Sequence, residues 1–246
     1  MNKLVPNWVA STTDRRLAAA AMGFGLLAWV VPFLVSGDTT LRLTREDGPY
    51  ETVGAIAFFT AAALFAALFV RTWRDDRCWW FLALAGLFFF AGGEEVSWGQ
   101  RILGWGDVDR AANVQGETTL HNLDLFDTVE GGWLKFPRLF LLFWLGWLVA
   151  LPLLAGLTGP VQTLVRRLRV PIPALVFGLV MLANLALSKT YRPLGLDDVG
   201  LERIAEIREC AQAVALVAVG LSFWLRPVRM TAGSAGADQV LSGHSP

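Results

Sequence analysis

The sequence predicts an all-α fold, a polytopic integral membrane helical bundle with about six transmembrane helices. Hydrophobic residues make up 54% of the 246 residues, whereas charged residues make up 17%. Soluble globular domains carry about 25% charged residues, so this composition is typical of a membrane protein. Several apolar stretches also approach the roughly 20 residues that a helix needs to cross a hydrocarbon core of about 30 Å.

Six apolar runs define the predicted spans, and residues 1–230 are expected to form one transmembrane domain. The spans are 17–35, 52–70, 79–93, 136–157, 173–187 and 204–225. Arg15 and Arg16 precede the first run, as in a secretory signal sequence, but the run exceeds the roughly 7–15 apolar residues of a signal core. A retained first helix is therefore expected. The Gly/Ser/Ala-rich segment 231–246 is predicted to be a disordered cytoplasmic tail.

The distribution of arginine predicts which side of the membrane each loop faces. Arg71, Arg74 and Arg77 lie within seven residues between the second and third spans. Because cytoplasmic loops are enriched in Lys and Arg, this loop and both termini are placed in the cytoplasm. The motif-bearing segment 94–135 is then expected to face outward.

Two further counts limit the function classes. The formal net charge is zero, so nothing suggests nucleic acid as a partner, and none is expected. Cys78 and Cys210 are too few for a disulfide framework, and the predicted topology places them near opposite faces of the membrane.

Two polar motifs beside the apolar spans mark the candidate site. The first is Glu94-Glu95-Val96-Ser97-Trp98-Gly99-Gln100-Arg101, and the second comprises Asn113, Gln115, Glu117, His121 and Asn122. Ionisable groups at membrane depth are costly, so they are functional-site candidates by default. The candidate catalytic residues are Glu94, Glu95, Arg101 and His121. The candidate substrate-binding residues are Gln100, Asn113, Gln115 and Asn122.

The depth of the glutamate pair falls short of a full span. Glu94 lies about 22 Å along a helix that starts at Trp79, whereas the hydrocarbon core is about 30 Å thick. Either the carboxylates of Glu94 and Glu95 enter the outer leaflet, or Gly92-Gly93 breaks the helix and opens a wet pocket. Both alternatives require partners for the carboxylates.

The sixth span offers acidic partners at a similar depth. Glu202, Glu206 and Glu209 follow the spacing i, i+4, i+7, so they share one helix face. We expect Glu94 or Glu95 to lie within contact distance of Glu206 and Glu209. Two acidic faces repel each other unless a metal ion, shared protons or arginines lie between them.

A divalent metal ion is the candidate cofactor. Glu117 and His121 are four residues apart, which puts them on one face if this stretch is helical. The candidate ligands are Glu95, Glu117, His121, Glu206 and Glu209. This oxygen-rich set with one nitrogen suits Mn, Fe or Zn better than a thiolate site would.

Simpler structural roles are the alternatives for most of these residues. Glu206 and Glu209 would pair with Arg203 and Arg208 at a water-facing helix end. His121 would cap a loop, and Asn113, Gln115 and Asn122 would satisfy backbone groups in turns. A structural role is harder to assign to Glu94 and Glu95, because a buried carboxylate needs a buried partner.

The pairing of Glu-Glu-x-Ser-Trp-Gly-Gln-Arg at 94–101 with Asn-x-Gln-x-Glu-x-x-x-His-Asn at 113–122 resembles a family of uncharacterised bacterial integral membrane proteins. The resemblance rests on these residues and on the spans around them. It implies a multi-pass protein of the bacterial inner (cell) membrane, and it carries no activity over to this chain. The motifs of ceramidase-like hydrolases, membrane desaturases and prenyltransferases do not occur in the sequence.

Three functions from different classes fit these observations. The leading hypothesis is a membrane-embedded enzyme with an outward-facing Glu/His/Arg site that acts on a lipid or lipid-linked substrate. Glu94 or Glu95 would be the general base or a ligand, His121 the general acid or a ligand, and Arg101 would hold an anionic group. The alternatives are a proton-coupled transporter and a non-catalytic membrane assembly protein. Against transport, the cytoplasmic halves of the spans contain almost no polar residues that would line a path.

Overall fold

The computed structural model describes residues 9–45, 48–73, 78–100, 136–190 and 201–226, and every regular element in these ranges is a helix. In chain order they are α1 (Thr12–Leu34), α2 (Gly37–Leu43), α3 (Pro49–Thr72), α4 (Trp79–Glu95), α5 (Phe136–Trp144), α6 (Leu151–Leu157), α7 (Gly159–Leu168), α8 (Leu175–Thr190) and α9 (Leu201–Leu225). A π-helical segment (Leu145–Ala150) joins α5 to α6, and a single 3-10 turn (Ser97–Gly99) follows α4. The all-α prediction is confirmed for the described ranges.

Apolar helices of membrane-spanning length support the membrane assignment. In the described ranges, three are long and apolar enough to cross a bilayer: Thr12–Leu34, Pro49–Thr72 and Arg138–Leu157. Leu175–Thr190 is a shorter apolar helix. The 17 residues of α4 rise about 25 Å, and the first turns of α9 are strongly charged. A helix therefore occupies each of the six predicted positions, while the number of helices that cross the membrane stays a prediction.

Local sequence explains where the first helices begin. The side chain of Ser11 accepts a hydrogen bond from the backbone N–H of Asp14 (3.1 Å), and the Asp14 carboxylate accepts one from the backbone N–H of Ser11 (2.8 Å). This reciprocal capping box satisfies two backbone donors that the start of a helix leaves free. Ser36 accepts a hydrogen bond from the N–H of Thr39 at the start of α2. Pro49 fits the first turn of α3, where its fixed φ is already helical.

The core of the bundle is aromatic and lies between α3, α4, α9 and the π-helical segment. The ring of Phe65 is fully buried and contacts the rings of Phe81, Phe88, Trp147 and Phe223 at centroid distances of 5.5 to 6.2 Å. Tilted and edge-to-face pairs of this kind contribute about 0.5–1.5 kcal/mol each beyond area burial. The middle of the bundle is therefore packed with rings.

Small residues let α9 approach its neighbours closely on the side away from this core. A Cβ added at Gly54 of α3 would lie 3.6 Å from the Cα of Cys210. A Cβ at Gly25 of α1 would lie 3.7 Å from the Cβ of Ala211. Membrane helices commonly use small residues to bring their backbones together. As a result, the first turns of α3 lie beside the first half of α9.

Contacts between helix termini define two ends of the bundle. At one end, Asp14 of α1 lies 3.0 Å from Arg226 after α9, and Arg71 of α3 donates to the backbone oxygen of Trp224 (2.7 Å). We call this the basic end; its described arginines are Arg15, Arg16, Arg71, Arg166, Arg167, Arg169 and Arg226. The opposite end, which we call the acidic end after its glutamate cluster, holds Glu51, Glu94, Glu95, Glu206 and Glu209, together with the basic residues Arg42, Arg45, Arg138, Lys189 and Arg208. α1 begins and α9 ends at the same end of the bundle, as the predicted topology requires.

A buried carboxylate ties the helices together at the basic end. Asp14 is only 1% exposed and accepts hydrogen bonds from the backbone and hydroxyl of Ser11 and from the hydroxyl of Ser222. The guanidinium of Arg226 lies 3.0 Å from the same carboxylate. A buried charge is tolerated when it is paired and hydrogen-bonded in this way. This network joins the start of α1 to the last turns of α9.

Candidate functional site

The glutamate pair lies at the end of an unbroken helix. α4 continues through Gly92 and Gly93 and ends at Glu95. Of the two alternatives for this pair, a helix broken at Gly92-Gly93 is therefore excluded. A Cβ added at Gly92 would lie 3.1 Å from ring carbons of Phe59, so glycine permits the close approach of α3. The two glycines serve packing, and Glu94 and Glu95 form the last helical turn.

The chain reverses sharply after α4, and the reversal brings Trp98 back onto the helix. Ser97, Trp98 and Gly99 have φ values of 46°, 53° and 79°. The indole of Trp98 lies so close to Gly93 that an added Cβ would be 2.8 Å from its ring. Trp98 Nε1 also donates a hydrogen bond of 2.6 Å to Oε1 of Glu94. One compact unit therefore links Gly93, Glu94 and Trp98 of the first motif.

This turn is conformationally strained. A residue with a side chain that is held in the left-handed region costs about 1–3 kcal/mol, and Ser97 and Trp98 both lie there. Such strain persists only where the surrounding structure imposes it, and it is concentrated at functional sites. The packing of Trp98 against Gly93, Phe89 and Phe90 supplies that constraint. The turn thereby holds the indole of Trp98 against the carboxylate of Glu94.

Glu94 and Glu95 occupy different environments. Glu94 is 8% exposed, and the indole of Trp98 holds its carboxylate. No hydrogen bond or ion pair reaches Glu95 within the described part of the chain. Its carboxylate interacts electrostatically with those of Glu51, Glu94, Glu206 and Glu209. Glu95 therefore belongs to a cluster of carboxylates that comes from three helices.

α9 contributes two of these carboxylates, from successive turns. The structure brings Glu206 and Glu209 into electrostatic range of Glu95, while the contact distance expected from the depth argument stays a prediction. Glu209 also forms an ion pair with Arg208 at 2.7 Å, with both side chains partly exposed. The simpler role of arginine pairing therefore applies to Glu209. A pair of this exposure contributes only about 0–1 kcal/mol, so Glu209 stays free to exchange partners.

Three residues of the site were missed by the sequence analysis. Glu51 lies in the first turn of α3, and Tyr50 beside it donates a hydrogen bond of 2.8 Å to the backbone oxygen of Ala28. The thiol of Cys210 is buried and interacts electrostatically with Glu95 and Glu206. The sequence did contain a signal for Glu51, because a carboxylate at the start of a predicted span lies at the same membrane depth as Glu94. However, a carboxylate in the first turn of a helix is also explained by a favourable interaction with the helix dipole.

A buried hydrogen-bonded chain supports α9 behind the site. Trp29 Nε1 donates to Oδ1 of Asn184, and Nδ2 of Asn184 donates to the backbone oxygen of Arg208 (2.9 Å). Asn184 is 6% exposed, so these bonds are shielded from solvent. This series of hydrogen bonds fixes α1 and α8 against the part of α9 that carries Glu206 and Glu209.

Several predicted site residues lie outside the described ranges. They are Arg101, Asn113, Gln115, Glu117, His121 and Asn122. Gln100, the last described residue of the first motif, is half-buried and makes contacts of its own. Within the described ranges, no three Asp, Glu, His or Cys side chains are arranged to hold a metal ion. A metal-binding assignment therefore has no support from Glu95, Glu206 and Glu209 by themselves.

The chain matches no family model, no curated protein and no solved structure.

Proposed function

We propose that the protein is a membrane-embedded enzyme whose acidic site acts on a lipid or lipid-linked substrate, with Glu95 as the general base. The observation that carries the proposal is the position of Glu95. Its carboxylate has no hydrogen-bond partner in the described ranges, and it interacts electrostatically with four other carboxylates just before a strained turn. Carboxylates whose proton affinity is altered by neighbouring carboxylates are characteristic of acid–base sites.

The arrangement suits proton transfer. Neighbouring carboxylates repel each other when all are charged, so the group is stabilised by sharing a proton. A proton taken up by one of these carboxylates is therefore readily accommodated. Glu95 would accept a proton from a water molecule or a substrate hydroxyl. Glu94, held by Trp98, would stay fixed and shape the field around it. Two further roles are proposed from the sequence motifs. His121 would be the general acid, and Arg101 would hold an anionic group of the substrate.

Metal dependence is a separate part of the proposal. Glu95, Glu206 and Glu209 provide oxygen ligands, and Glu117 and His121 would have to complete a site for Mn, Fe or Zn. The described residues alone do not form such a site. Metal analysis of the purified protein tests this part independently of the role of Glu95 in proton transfer.

Aromatic side chains beside the site favour a lipid as the substrate. Phe89 is 55% exposed on the surface of α4, and its ring lies 6.3 Å from that of Trp98. An exposed ring on an apolar helix faces acyl chains when the helix lies in a bilayer. A lipid could therefore place its chains along α4 and its polar group at the glutamates.

A proton-coupled transporter is the second candidate, because clustered carboxylates also occur in proton relays. Two observations disfavour it. The centre of the bundle is filled by rings around Phe65, and the basic end is tied together by Asp14 and Arg226. A site that opens at one end only fits an enzyme better than a carrier. A non-catalytic assembly role is the third candidate, and it gives no reason for a strained turn beside Glu95.

The orientation is part of the proposal. The basic end would face the cytoplasm because Lys and Arg are retained on that side during insertion. The acidic site would then face outward in the bacterial inner membrane.

Lipid profiling tests the proposed function. The purified protein is reconstituted in liposomes of a bacterial lipid extract, and the lipids are compared by mass spectrometry with those of protein-free liposomes. We expect one lipid class to be converted by the wild type and by the control Asp38→Asn, an exposed carboxylate of α2, but not by Glu95→Gln. Proton flux into the same liposomes, followed with an internal pH dye, would instead favour the carrier.

A further inference from the structure

α7 is an amphipathic helix at the basic end. Val161, Leu164, Val165 and Leu168 follow the spacing i, i+3, i+4, i+7 and form one face. The intervening positions on the other face are Gln162, Thr163, Arg166 and Arg167. Apolar and arginine-bearing faces on one short helix are typical of a helix that lies in the plane of a membrane interface.

Only part of the apolar face packs against the protein. Val165 is 5% exposed, whereas Leu164 and Leu168 are 53% and 51% exposed. Leu157, at the end of α6 just before α7, is 79% exposed. Acyl chains at the edge of a bilayer would cover these leucines, and water would not.

The position of α7 is fixed by hydrogen bonds to its last residue and to the segment just after it. Trp80 Nε1 donates to the backbone oxygen of Leu168 (2.8 Å), and Trp147 Nε1 donates to that of Pro171 (3.0 Å). Arg169 ends the helix with a φ of 55°. The indole bonds tie α7 to α4 and to the π-helical segment, so its two faces have a defined direction.

Tryptophans at the same end mark the depth of an interface. Trp73, Trp79 and Trp80 are 42%, 57% and 44% exposed. Tryptophan is enriched where the headgroups meet the hydrocarbon core, because its ring is apolar and its N–H is polar. Since Trp80 bonds directly to Leu168, α7 lies at this level.

The arginines of α7 differ from others at the basic end. Arg71 and Arg226 are engaged by Trp224 and Asp14. Arg166 and Arg167 are exposed and have no ion pair within the described ranges. Their place in the last turn of α7 complements the helix dipole, but it leaves both guanidinium groups available.

We propose that α7 lies in the membrane interface and that Arg166 and Arg167 bind the phosphate groups of anionic lipids in the leaflet at the basic end. The exposed leucines and the adjoining tryptophans favour a lipid surface over an acidic protein, and the two arginines are complementary to anionic headgroups. Guanidinium groups bind phosphate through paired N–H donors, which gives the contact its geometry. The inference does not depend on the reaction proposed for the acidic end.

Lipid binding by the purified full-length chain tests the proposal. The protein in non-ionic detergent is titrated with phosphatidylglycerol or with phosphatidylcholine, and bound lipid is counted by native mass spectrometry. The wild type should bind phosphatidylglycerol more tightly. The double variant R166Q/R167Q should bind it about 25-fold more weakly, since each arginine near an anionic surface contributes about fivefold in affinity.

Two variants serve as controls. R42Q/R45Q removes two exposed arginines near the other end of the bundle and should bind phosphatidylglycerol like the wild type. R166K/R167K keeps the charge and should retain most of the preference. Equal affinity of the wild type for both lipids, as an acidic protein partner would imply, would overturn the proposal. A change of less than about twofold in R166Q/R167Q would do the same.

Discussion

Trp98 reaches back over one turn of α4 and donates a hydrogen bond of 2.6 Å to the carboxylate of Glu94. The bond requires the left-handed backbone at Ser97 and Trp98, and the ring requires a glycine at position 93. The consecutive residues of the first motif are therefore parts of one structural unit. Its effect is to fix Glu94 and to leave Glu95 facing the other carboxylates.

Removing the indole N–H should weaken this unit. Trp98→Phe removes the indole donor from the buried carboxylate of Glu94, which costs about 1–3 kcal/mol of unfolding free energy. Thermal unfolding in detergent measures the change. Trp79→Phe, at a side chain that is 57% exposed, is the control and should unfold near the wild-type temperature. Equal unfolding of all three proteins would show that the hydrogen bond contributes nothing.

Gly93 should tolerate no side chain. In Gly93→Ala the new Cβ would lie 2.8 Å from the Trp98 ring, so the ring must move and the variant should lose about 1–3 kcal/mol of stability. Gly86→Ala is the control on the same helix, because a Cβ there has nothing within 4 Å. That change should be neutral or should stabilise α4 by up to about 1 kcal/mol. If Gly93→Ala were as stable as Gly86→Ala, the Trp98 ring would not pack directly on Gly93.

Much of this fold was predictable from the sequence, because the positions of the helices follow from the apolar runs. The residues that share a helix face follow from the helical period of 3.6 residues. The helices occupy the predicted positions, and Glu206 and Glu209, which the spacing predicted to share one face, both interact electrostatically with Glu95. The relative directions of the helices followed from the prediction that successive loops lie on alternate sides of the membrane.

The details of the site were not predictable, because they depend on contacts between distant residues. Nothing in Val96-Ser97-Trp98 signals a left-handed backbone, since Trp98 adopts it only through packing on Gly93. Glu51 was missed because it belongs to a different helix from Glu95, and the electrostatic interaction of the two depends on how those helices pack.

Loss of the charge at Asp14 should loosen the basic end. Asp14→Asn keeps the shape but removes the ion pair with Arg226, at an expected cost of about 1–3 kcal/mol. Asp38→Asn changes an exposed carboxylate of α2 and should have almost no effect. Chemical denaturation of the two variants in detergent compares them directly. An Asp14→Asn variant as stable as Asp38→Asn would show that this network does not hold α1 to α9.

Cysteine labelling tests the proposed orientation. Gly37 near the acidic end and Gly159 near the basic end are both exposed, and a Cβ at either has nothing within 4 Å. An impermeant thiol reagent on intact cells should label Gly37→Cys but not Gly159→Cys, because the basic end is retained in the cytoplasm. The native Cys78 and Cys210 are buried and give a low background. Labelling of Gly159→Cys alone would reverse the orientation.

The rate of lipid conversion in Glu95→Gln is the most direct measurement of the central claim. A positioned general base contributes about 10²–10⁴-fold to a rate, so the variant should lose activity by that factor. Its thermal unfolding should stay close to that of the wild type, because Glu95 has no hydrogen bond to lose within the described ranges. Asp38→Asn should keep the full rate. A Glu95→Gln variant that converted the lipid within about twofold of the wild-type rate would contradict the account.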